Sequence, residues 1–251
     1  MFIWIVYKVK NIFELVVVVH HEIEIKDILW FLFIRCLRPI LLMNQASLFN
    51  ADLNQSRLNL LPKDGSIYYY PEWINTAESA KLLDRLQQSL QWESDRLLMF
   101  GKLVSTRRKV AWVGDQNCAY TYSGVKKYAQ PWTSELLAIK CQLEELAKSD
   151  FNSCLLNFYH DGADGMGWHS DDEKELDAQS PIVSLSLGST RKFSFKHKKD
   201  KLVAPLFLEN GSVLIMHSPT QQFWQHALLK TKTIHTPRIN LTFRKMIISN
   251  E

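Results

Sequence analysis

Paired cysteines, long apolar runs and repeats are all missing from this 251-residue chain, and each absence excludes a class of protein. The four cysteines show no C-x-x-C spacing and no disulfide framework, so we expect reduced thiols in a cytoplasmic protein. No apolar run reaches the roughly 20 residues that a bilayer-spanning helix needs, because Arg35 and Arg38 interrupt the longest one. The sequence contains neither an internal repeat nor a low-complexity linker, and its length suits one domain with a sizeable core.

The first 42 residues differ in composition from the rest of the chain. They consist of apolar bursts and lack both the short basic start and the small-residue cleavage site of a secretory signal. We predict that Met43 is the natural start and that residues 1–42 are an upstream segment outside the natural protein. A disordered or apolar extension, such as an amphipathic membrane anchor, is the alternative. N-terminal sequencing of the natively expressed protein tests this, and a peptide that begins before Met43 would contradict it.

Beyond a tail of residues 43–66, the sequence predicts two helices and many short strands. Asn75 and Glu78 have capping-box spacing at the start of the first helix, which continues to about Gln91. Its apolar face is marked by Ala80, Leu83, Leu86 and Leu90. The second helix begins after Pro131, with a stripe of Leu136, Ile139, Leu143 and Leu146. Runs such as I-V-S-L-S-L-G predict half-buried strands. We expect an α+β, mostly β domain over residues 67–251, in which the helices pack on an antiparallel sandwich or jelly roll.

The segment W-H-S-D-D-E, residues 168–173, concentrates acidic side chains next to a histidine. On an extended chain, side chains two positions apart face the same side, so His169 and Asp171 can reach one ion. A facial triad for non-haem Fe(II) needs a second histidine from a distant strand, and His217, His226 and His235 are the candidates. His226 lies in F-W-Q-H-A-L, where a strand can aim it inward. A solvated acidic turn and a satisfied core histidine are the alternatives.

The end of the chain reads P-R-I-N-L-T-F-R-K and favours the metal interpretation. Alternation along this strand places four polar side chains on one face: Arg238, Asn240, Thr242 and Arg244. Two arginines that point into a barrel need a buried dianion, because an unpaired buried guanidinium group is very costly. 2-Oxoglutarate is such a dianion, and the fork of an arginine suits its carboxylates. A solvated polar face remains the alternative.

Taken in order, these motifs resemble those of the AlkB family, whose members are Fe(II)- and 2-oxoglutarate-dependent oxygenases that remove alkyl groups from nucleic-acid bases. The resemblance rests on N-x-Y (Asn157 and Tyr159), H-x-D, a distant histidine and R-x-N-x-T-F-R, and it extends from about Tyr68 to Met246. The wording W-H-S-D-D-E and Y-T-Y-S-G is most similar to the branch that repairs DNA. The resemblance implies a double-stranded β-helix, a form of jelly roll, with two N-terminal packing helices.

Roles for the motif residues follow from the same resemblance. It implies that His169, Asp171 and His226 bind Fe(II). It also implies that Arg238, assisted by Tyr159, pairs with the distal carboxylate of 2-oxoglutarate, and that Arg244, Asn157 and Asn240 hold the part nearer the metal. The implied reaction uses Fe(II), 2-oxoglutarate and O2 to demethylate 1-methyladenine and 3-methylcytosine in DNA, and it releases formaldehyde, succinate and CO2. A same-fold oxygenase acting on RNA or protein and a non-catalytic nucleic-acid-binding relative are the alternatives.

A base in a duplex must leave the stack to reach a buried iron, so we expect a wedge, a base pocket and a phosphate grip. The wedge and its flank are predicted at Met99, Phe100, Gly101 and Lys102. The base pocket is predicted at Tyr120, Tyr122, Ser123 and Glu173. The phosphate grip is predicted in two basic clusters that include Arg107, Arg108, Arg191, Lys196 and Lys198. Solvated charged faces are the alternative for these clusters, and a net charge of +4 permits an anionic partner without identifying one.

One further motif lies in the N-terminal tail. Q-A-S-L-F, with Gln45, Leu48 and Phe49, resembles the peptide with which bacterial repair proteins bind the replication sliding clamp. We hypothesise a clamp contact at this tail, which a pull-down with purified clamp and a Phe49→Ala variant tests. A monomer is expected, nucleoid-associated in a bacterium.

Overall fold

A computed structural model describes residues 58–99, 102–115, 119–122 and 125–247 of this chain. The predicted start at Met43 and the clamp peptide Gln45–Phe49 lie outside the described residues, as do Phe100, Gly101 and Ser123. For Met99, Lys102, Tyr120 and Tyr122 the structure describes the strand but not the side chain.

Within these residues the chain forms strands and three helices. The strands in chain order are β1 Ser66–Tyr70, β2 Glu93–Met99, β3 Lys102–Gly114, β4 Ala119–Tyr122, β5 Val125–Tyr128, β6 Ser153–Tyr159, β7 Met166–His169, β8 Ile182–Gly188, β9 Arg191–His197, β10 Val203–Leu208, β11 Ser212–His217, β12 Trp224–Leu228 and β13 Arg238–Arg244. The helices are α1 Thr76–Ser89, α2 Ser134–Ala147 and the one-turn α3 Thr220–Phe223.

Two antiparallel sheets form the body of the fold. The larger has seven strands in the order β1-β11-β8-β13-β6-β3-β2, and the smaller has four in the order β10-β9-β12-β7. Strands β4 and β5 form a separate two-stranded hairpin. The predicted α+β, mostly β jelly roll with two packing helices is confirmed, and the short α3 was not predicted.

Local sequence explains both long helices. The Asn75 side chain accepts a hydrogen bond from the Glu78 backbone N–H at 3.0 Å, as the capping-box spacing predicts. Thr133 caps α2 by accepting from the Leu136 backbone N–H at 3.2 Å. The buried face of α2 matches the predicted stripe at Leu136, Ile139 and Leu143.

The buried face of α1 differs from the prediction. It consists of Ser79, Leu82 and Leu86, whereas Ala80 is exposed. The helix also ends at Ser89 rather than near Gln91. The predicted stripe followed the right period but started one position off, because Ser79 is buried through a hydrogen bond from its hydroxyl to the Ile74 carbonyl rather than through apolar character.

The seven-stranded sheet has two chemically different faces. One face supplies apolar side chains such as Leu156 and Leu241 to a core that includes the buried sides of α1 and α2. The other face belongs to a second core, in which Ile182 and Leu214 meet Phe195 and Trp224 of the four-stranded sheet. The polar residues of β6, β8 and β13 alternate with the first set, so they face the space between the two sheets.

Candidate metal centre and anion site

Three potential metal ligands converge on the inner side of the four-stranded sheet. His169 ends β7 and lies opposite His226 of β12 in the antiparallel register, and Asp171 follows two positions later. The ligand atoms of the three side chains all lie within 4.8 Å of one another. The Asp171 Oδ1 atom is 3.6 Å from His169 Nε2 and 3.9 Å from His226 Nε2. The geometry therefore singles out His226 among the three histidines that the sequence offered.

The protonation of these groups suits a cation. His169 Nδ1 lies 2.8 Å from the Gly167 carbonyl oxygen, an acceptor, so Nδ1 carries the proton and Nε2 keeps its lone pair. Burial lowers the pKa of His226 to about 4, so this imidazole is neutral at pH 7. Burial alone would raise the pKa of Asp171, but electrostatic interactions with Arg244 first, and then with His226 and His169, outweigh it, and the pKa lies below its usual value. Two imidazoles and one carboxylate are the donor set of a facial triad.

A second histidine–aspartate cluster differs from the first because its groups already pair with one another and with a lysine. Asp64, His197 and Asp200 also bring ligand atoms within 4.8 Å of one another. His197 Nδ1, however, accepts the backbone N–H of Asp200 at 2.9 Å, so its proton is on Nε2, which faces Asp64 Oδ2 at 3.2 Å. Lys63 Nζ lies 2.6 Å from the Asp200 carboxylate and supplies the local positive charge. This cluster is an ion-pair network that ties the segment before β1 to the β9–β10 turn.

Arg238 is a buried cation that has no carboxylate partner among the described residues. It is 2% exposed, and its Nη2 donates to Ser186 Oγ at 2.9 Å and Asn240 Oδ1 at 2.7 Å. Burial lowers the pKa of Arg238 to about 10, so the guanidinium is still charged at pH 7. Its Nε atom is buried without a hydrogen-bond partner. An anion that enters this space would remove a large desolvation penalty.

Arg244 links the anion site to the metal cluster. Its Nε lies 3.8 Å from Asp171 Oδ2, and its Nη1 lies 3.8 Å from the Glu173 carboxylate. Both arginines lie on the same face of β13, with Asn240 between them, as the alternation predicts.

The predicted neighbours of these arginines lie in the same space. The Arg238 guanidinium lies 5.4 Å from the centre of the Tyr159 ring. Asn157 is opposite Asn240 in the pairing of β6 with β13, and its Oδ1 accepts a hydrogen bond from Arg108. Asn240 Oδ1 also accepts from Ser184 Oγ at 2.9 Å. Ser184 and Ser186 were not among the predicted site residues, although the alternation of I-V-S-L-S-L-G places both serines on this face.

Two predicted phosphate contacts are corrected by their burial. Arg191 is 2% exposed, and its guanidinium donates to backbone carbonyl groups, among them those of Asp164 at 2.8 Å and Leu229 at 2.9 Å. Arg108 is 3% exposed and points toward Asn157 in the anion site. Neither guanidinium group is presented to a phosphate at the surface. Arginine next to arginine suggested a charged surface, but strand alternation separates Arg107 and Arg108 onto opposite faces of β3.

The remaining basic residues have partners of their own. Arg107 is exposed and pairs with Asp161 at 2.9 Å. Lys196 Nζ lies 4.8 Å from the centre of the exposed Trp168 ring. Lys198 Nζ donates to Asp172 Oδ2 at 3.2 Å and to the Gln221 carbonyl oxygen at 2.9 Å. Asp172, which follows the predicted ligand Asp171, is therefore an ion-pair partner of Lys198.

Two of the predicted wedge residues, Met99 and Lys102, lie on the strands of an antiparallel hairpin. Met99 at the end of β2 pairs with Lys102 at the start of β3. The predicted base pocket includes part of β4, which pairs with β5. Among the described residues, no helix is long and apolar enough to cross a membrane.

Comparison with known proteins agrees with this site. The sequence model of the 2OG-Fe(II) oxygenase superfamily matches residues 66–244. The chain is 36% identical over 209 residues to the DNA oxidative demethylase ALKBH2 of Mus musculus, covering 79% of this chain and 87% of that relative. It is 34% identical over 187 residues to the alpha-ketoglutarate-dependent dioxygenase alkB homolog 3 of Mus musculus, covering 70% of this chain and 64% of that relative. The solved structure of OsALKBH1 shares the fold, with a TM-score of 0.50 and 19% identity over 71% of this chain and 96% of that chain.

Proposed function

Because this chain belongs to the AlkB family within the 2OG-Fe(II) oxygenase superfamily, we propose that it removes alkyl groups from the bases of DNA by oxidation. The observation that carries the proposal is the coincidence of a two-histidine, one-carboxylate cluster with a buried arginine that lacks an anionic partner among the described residues. The relatives named DNA oxidative demethylase support the substrate class. The lesions that we propose are 1-methyladenine and 3-methylcytosine.

Three side chains hold the metal in this proposal. His169 and His226 offer ring nitrogens, and Asp171 offers a carboxylate whose charge Arg244 stabilises from 3.8 Å. A facial triad leaves positions open for O2 and a co-substrate. With Fe(II), 2-oxoglutarate and O2 bound, such a centre oxidises the N-methyl carbon of the base to an N-hydroxymethyl group, which releases formaldehyde, while 2-oxoglutarate becomes succinate and CO2.

The anion site binds and orients 2-oxoglutarate. Arg238 pairs with the distal carboxylate, since it is buried on the polar face of β13 with no ion-pair partner among the described residues. Tyr159 lies beside its guanidinium group, and Ser186 and Asn240 fix that group in place. Arg244, Asn157 and Asn240 contact the part of the co-substrate nearer the metal. The protein thus supplies charge and geometry, and the metal and co-substrate supply the oxidation.

Access to the base requires the β2–β3 hairpin. Its tip, with Met99, Phe100, Gly101 and Lys102, enters the stack and fills the gap that the flipped base leaves. The flipped base occupies a pocket that Tyr120, Tyr122, Ser123 and Glu173 line beside His169. Arg107, Lys102, Lys196 and Lys198 remain as proposed phosphate contacts, whereas the buried Arg108 and Arg191 do not.

Contact between the N-terminal tail and a sliding clamp through Gln45, Leu48 and Phe49 stays a prediction. We also propose that the protein acts as a monomer.

Formaldehyde release from an oligonucleotide that carries 1-methyladenine tests the proposal. The protein is supplied with Fe(II), 2-oxoglutarate and ascorbate, beside a His169→Ala variant that lacks one ligand. We expect turnover by the protein and loss of at least about 100-fold in the variant, at the upper end of what perturbing a metal centre costs. Consumption of 2-oxoglutarate without formaldehyde would keep the oxygenase and remove the DNA substrate. No consumption at all would remove both.

A further inference from the structure

The loop that follows β7 carries Asp171 and Asp172 and is hereafter called the ligand loop. The side chain of Gln221 connects this loop to the one-turn helix α3. The Oε1 atom of Gln221 accepts a hydrogen bond from the Asp171 backbone N–H at 3.0 Å. We infer that Gln221 is a positioning residue for Asp171, so that it sets the affinity of the centre for its metal. This inference deepens the proposed function, since it rests on Asp171 as a metal ligand.

Asp171 needs such a tie because the sheet does not reach it. Strand β7 ends at His169, so Asp171 lies beyond the ladder of hydrogen bonds that fixes His169 against β12. Its backbone N–H lies in a residue that is 8% exposed, and a buried donor without a partner is costly. Gln221 satisfies that donor. It thereby also fixes the peptide plane from which the Asp171 carboxylate projects toward the two histidines.

A second contact joins the same two segments. Lys198 Nζ donates to the Asp172 carboxylate at 3.2 Å and to the Gln221 backbone carbonyl at 2.9 Å. Two consecutive residues of the ligand loop are thus connected to a single turn. That turn leads within five residues to His226, the ligand on the other strand. Gln221 therefore sets the spacing between the loop that carries Asp171 and the strand that carries His226.

The surrounding packing does not duplicate this contact. A cavity of about 230 Å³ borders Asp171, Gln221, Met216 and Arg244, so part of the loop faces empty space rather than close-packed side chains. The Nε2 atom of Gln221 lies 3.5 Å from Met216 Sδ, a weak acceptor that orients the amide. An outer partner that orients a ligand in this way typically changes metal affinity by 10- to 100-fold when it is removed.

Three variants separate positioning from general structural support. Gln221→Met keeps the length and removes the acceptor, Gln221→Glu restores an acceptor oxygen, and Gln222→Met makes the matched change at the exposed neighbouring residue. Anaerobic titration with Fe(II) alone gives the dissociation constant of the metal. Melting of the metal-free protein gives its folding stability. Neither measurement involves DNA.

We expect the Gln221→Met variant to bind Fe(II) about 10-fold more weakly, while Gln221→Glu and Gln222→Met stay within about threefold of the parent protein or bind more tightly. A lower melting temperature with unchanged Fe(II) affinity would overturn the inference, because it would show structural support alone. Equal weakening in Gln221→Glu would overturn it as well, because the acceptor would not matter. If the parent protein binds no Fe(II), the proposed metal centre fails too. Metal binding without demethylation of DNA would remove only the substrate.

Discussion

The two faces of strand β13 carry different kinds of buried side chain, apolar on one face and polar on the other. Ile239, Leu241 and Phe243 are fully buried in the core that joins the seven-stranded sheet to α1 and α2. Arg238 and Asn240, also buried, point to the other side, where Arg238 donates to Ser186 and Asn240 and lies over the Tyr159 ring. Both faces are removed from water. The apolar face stabilises the protein by burying apolar surface. The polar face buries the charge of Arg238, and the desolvation cost of that charge is removed only when an anionic ligand binds.

Burial alone therefore does not identify a stabilising residue. A guanidinium group without a counter-charge among the described residues opposes folding, so the site it belongs to is stabilised by the rest of the sheet. The two faces should therefore respond in opposite ways to substitution, and two substitutions and one labelling experiment test that contrast.

The largest effect is expected for Arg238→Met on the polar face. Loss of the guanidinium group removes the charge that pairs with the co-substrate, so kcat/KM for 2-oxoglutarate should fall by about 1,000-fold, or about 4 kcal/mol. The melting temperature of the metal-free protein should stay the same or rise, because a buried charge is replaced by an apolar side chain of similar length. Steady-state assays and a thermal melt without 2-oxoglutarate measure the two quantities. A marked fall in the melting temperature would show that Arg238 has a counter-charge after all.

The next effect is expected for Leu241→Ala on the apolar face. Leu241 is 0% exposed, and shortening a buried leucine costs about 2–5 kcal/mol. For a domain of this size the melting temperature should fall by roughly 5–15 °C. At 15 °C, where the variant is folded, kcat/KM should remain within about threefold of the parent protein, because Leu241 faces away from the site. A loss of activity as large as that of Arg238→Met would show that the two faces are coupled.

Alternation made much of this division predictable from the sequence. The letters R-I-N-L-T-F-R assign each β13 residue to a face once a strand is assumed, and His169 with Asp171 follows the same rule. The choice of His226 over His217 and His235 needed the register between β7 and β12, which no local pattern encodes.

The failures have a common physical reason. Arg191 was predicted to contact a phosphate because it is charged, yet its Nη2 atom donates to backbone carbonyl groups from two distant segments. Gln221 was not singled out, since a glutamine in a turn is ordinary until the ligand loop is seen beside it. Partners that are far apart in the sequence decide both cases, and such partners arise from tertiary structure alone.

The smallest effect concerns the thiol of Cys154, which lies opposite Phe243 in the sheet. Burial raises the pKa of the Cys154 thiol far above its usual range, so the group stays protonated and unreactive in the folded protein. Iodoacetamide at pH 8, followed by peptide mass spectrometry, should modify the exposed Cys141 and spare Cys154 until the protein is unfolded.

The pH dependence of stability that Cys154 contributes has a definite sign. Above about pH 8.5 the thiol ionises only in the unfolded chain, so this group makes stability fall as the pH rises.

Leu241→Ala should speed Cys154 labelling, because it lowers the free energy of opening this core, whereas Arg238→Met should not. Equal labelling of Cys154 in both variants would remove the contrast between the faces.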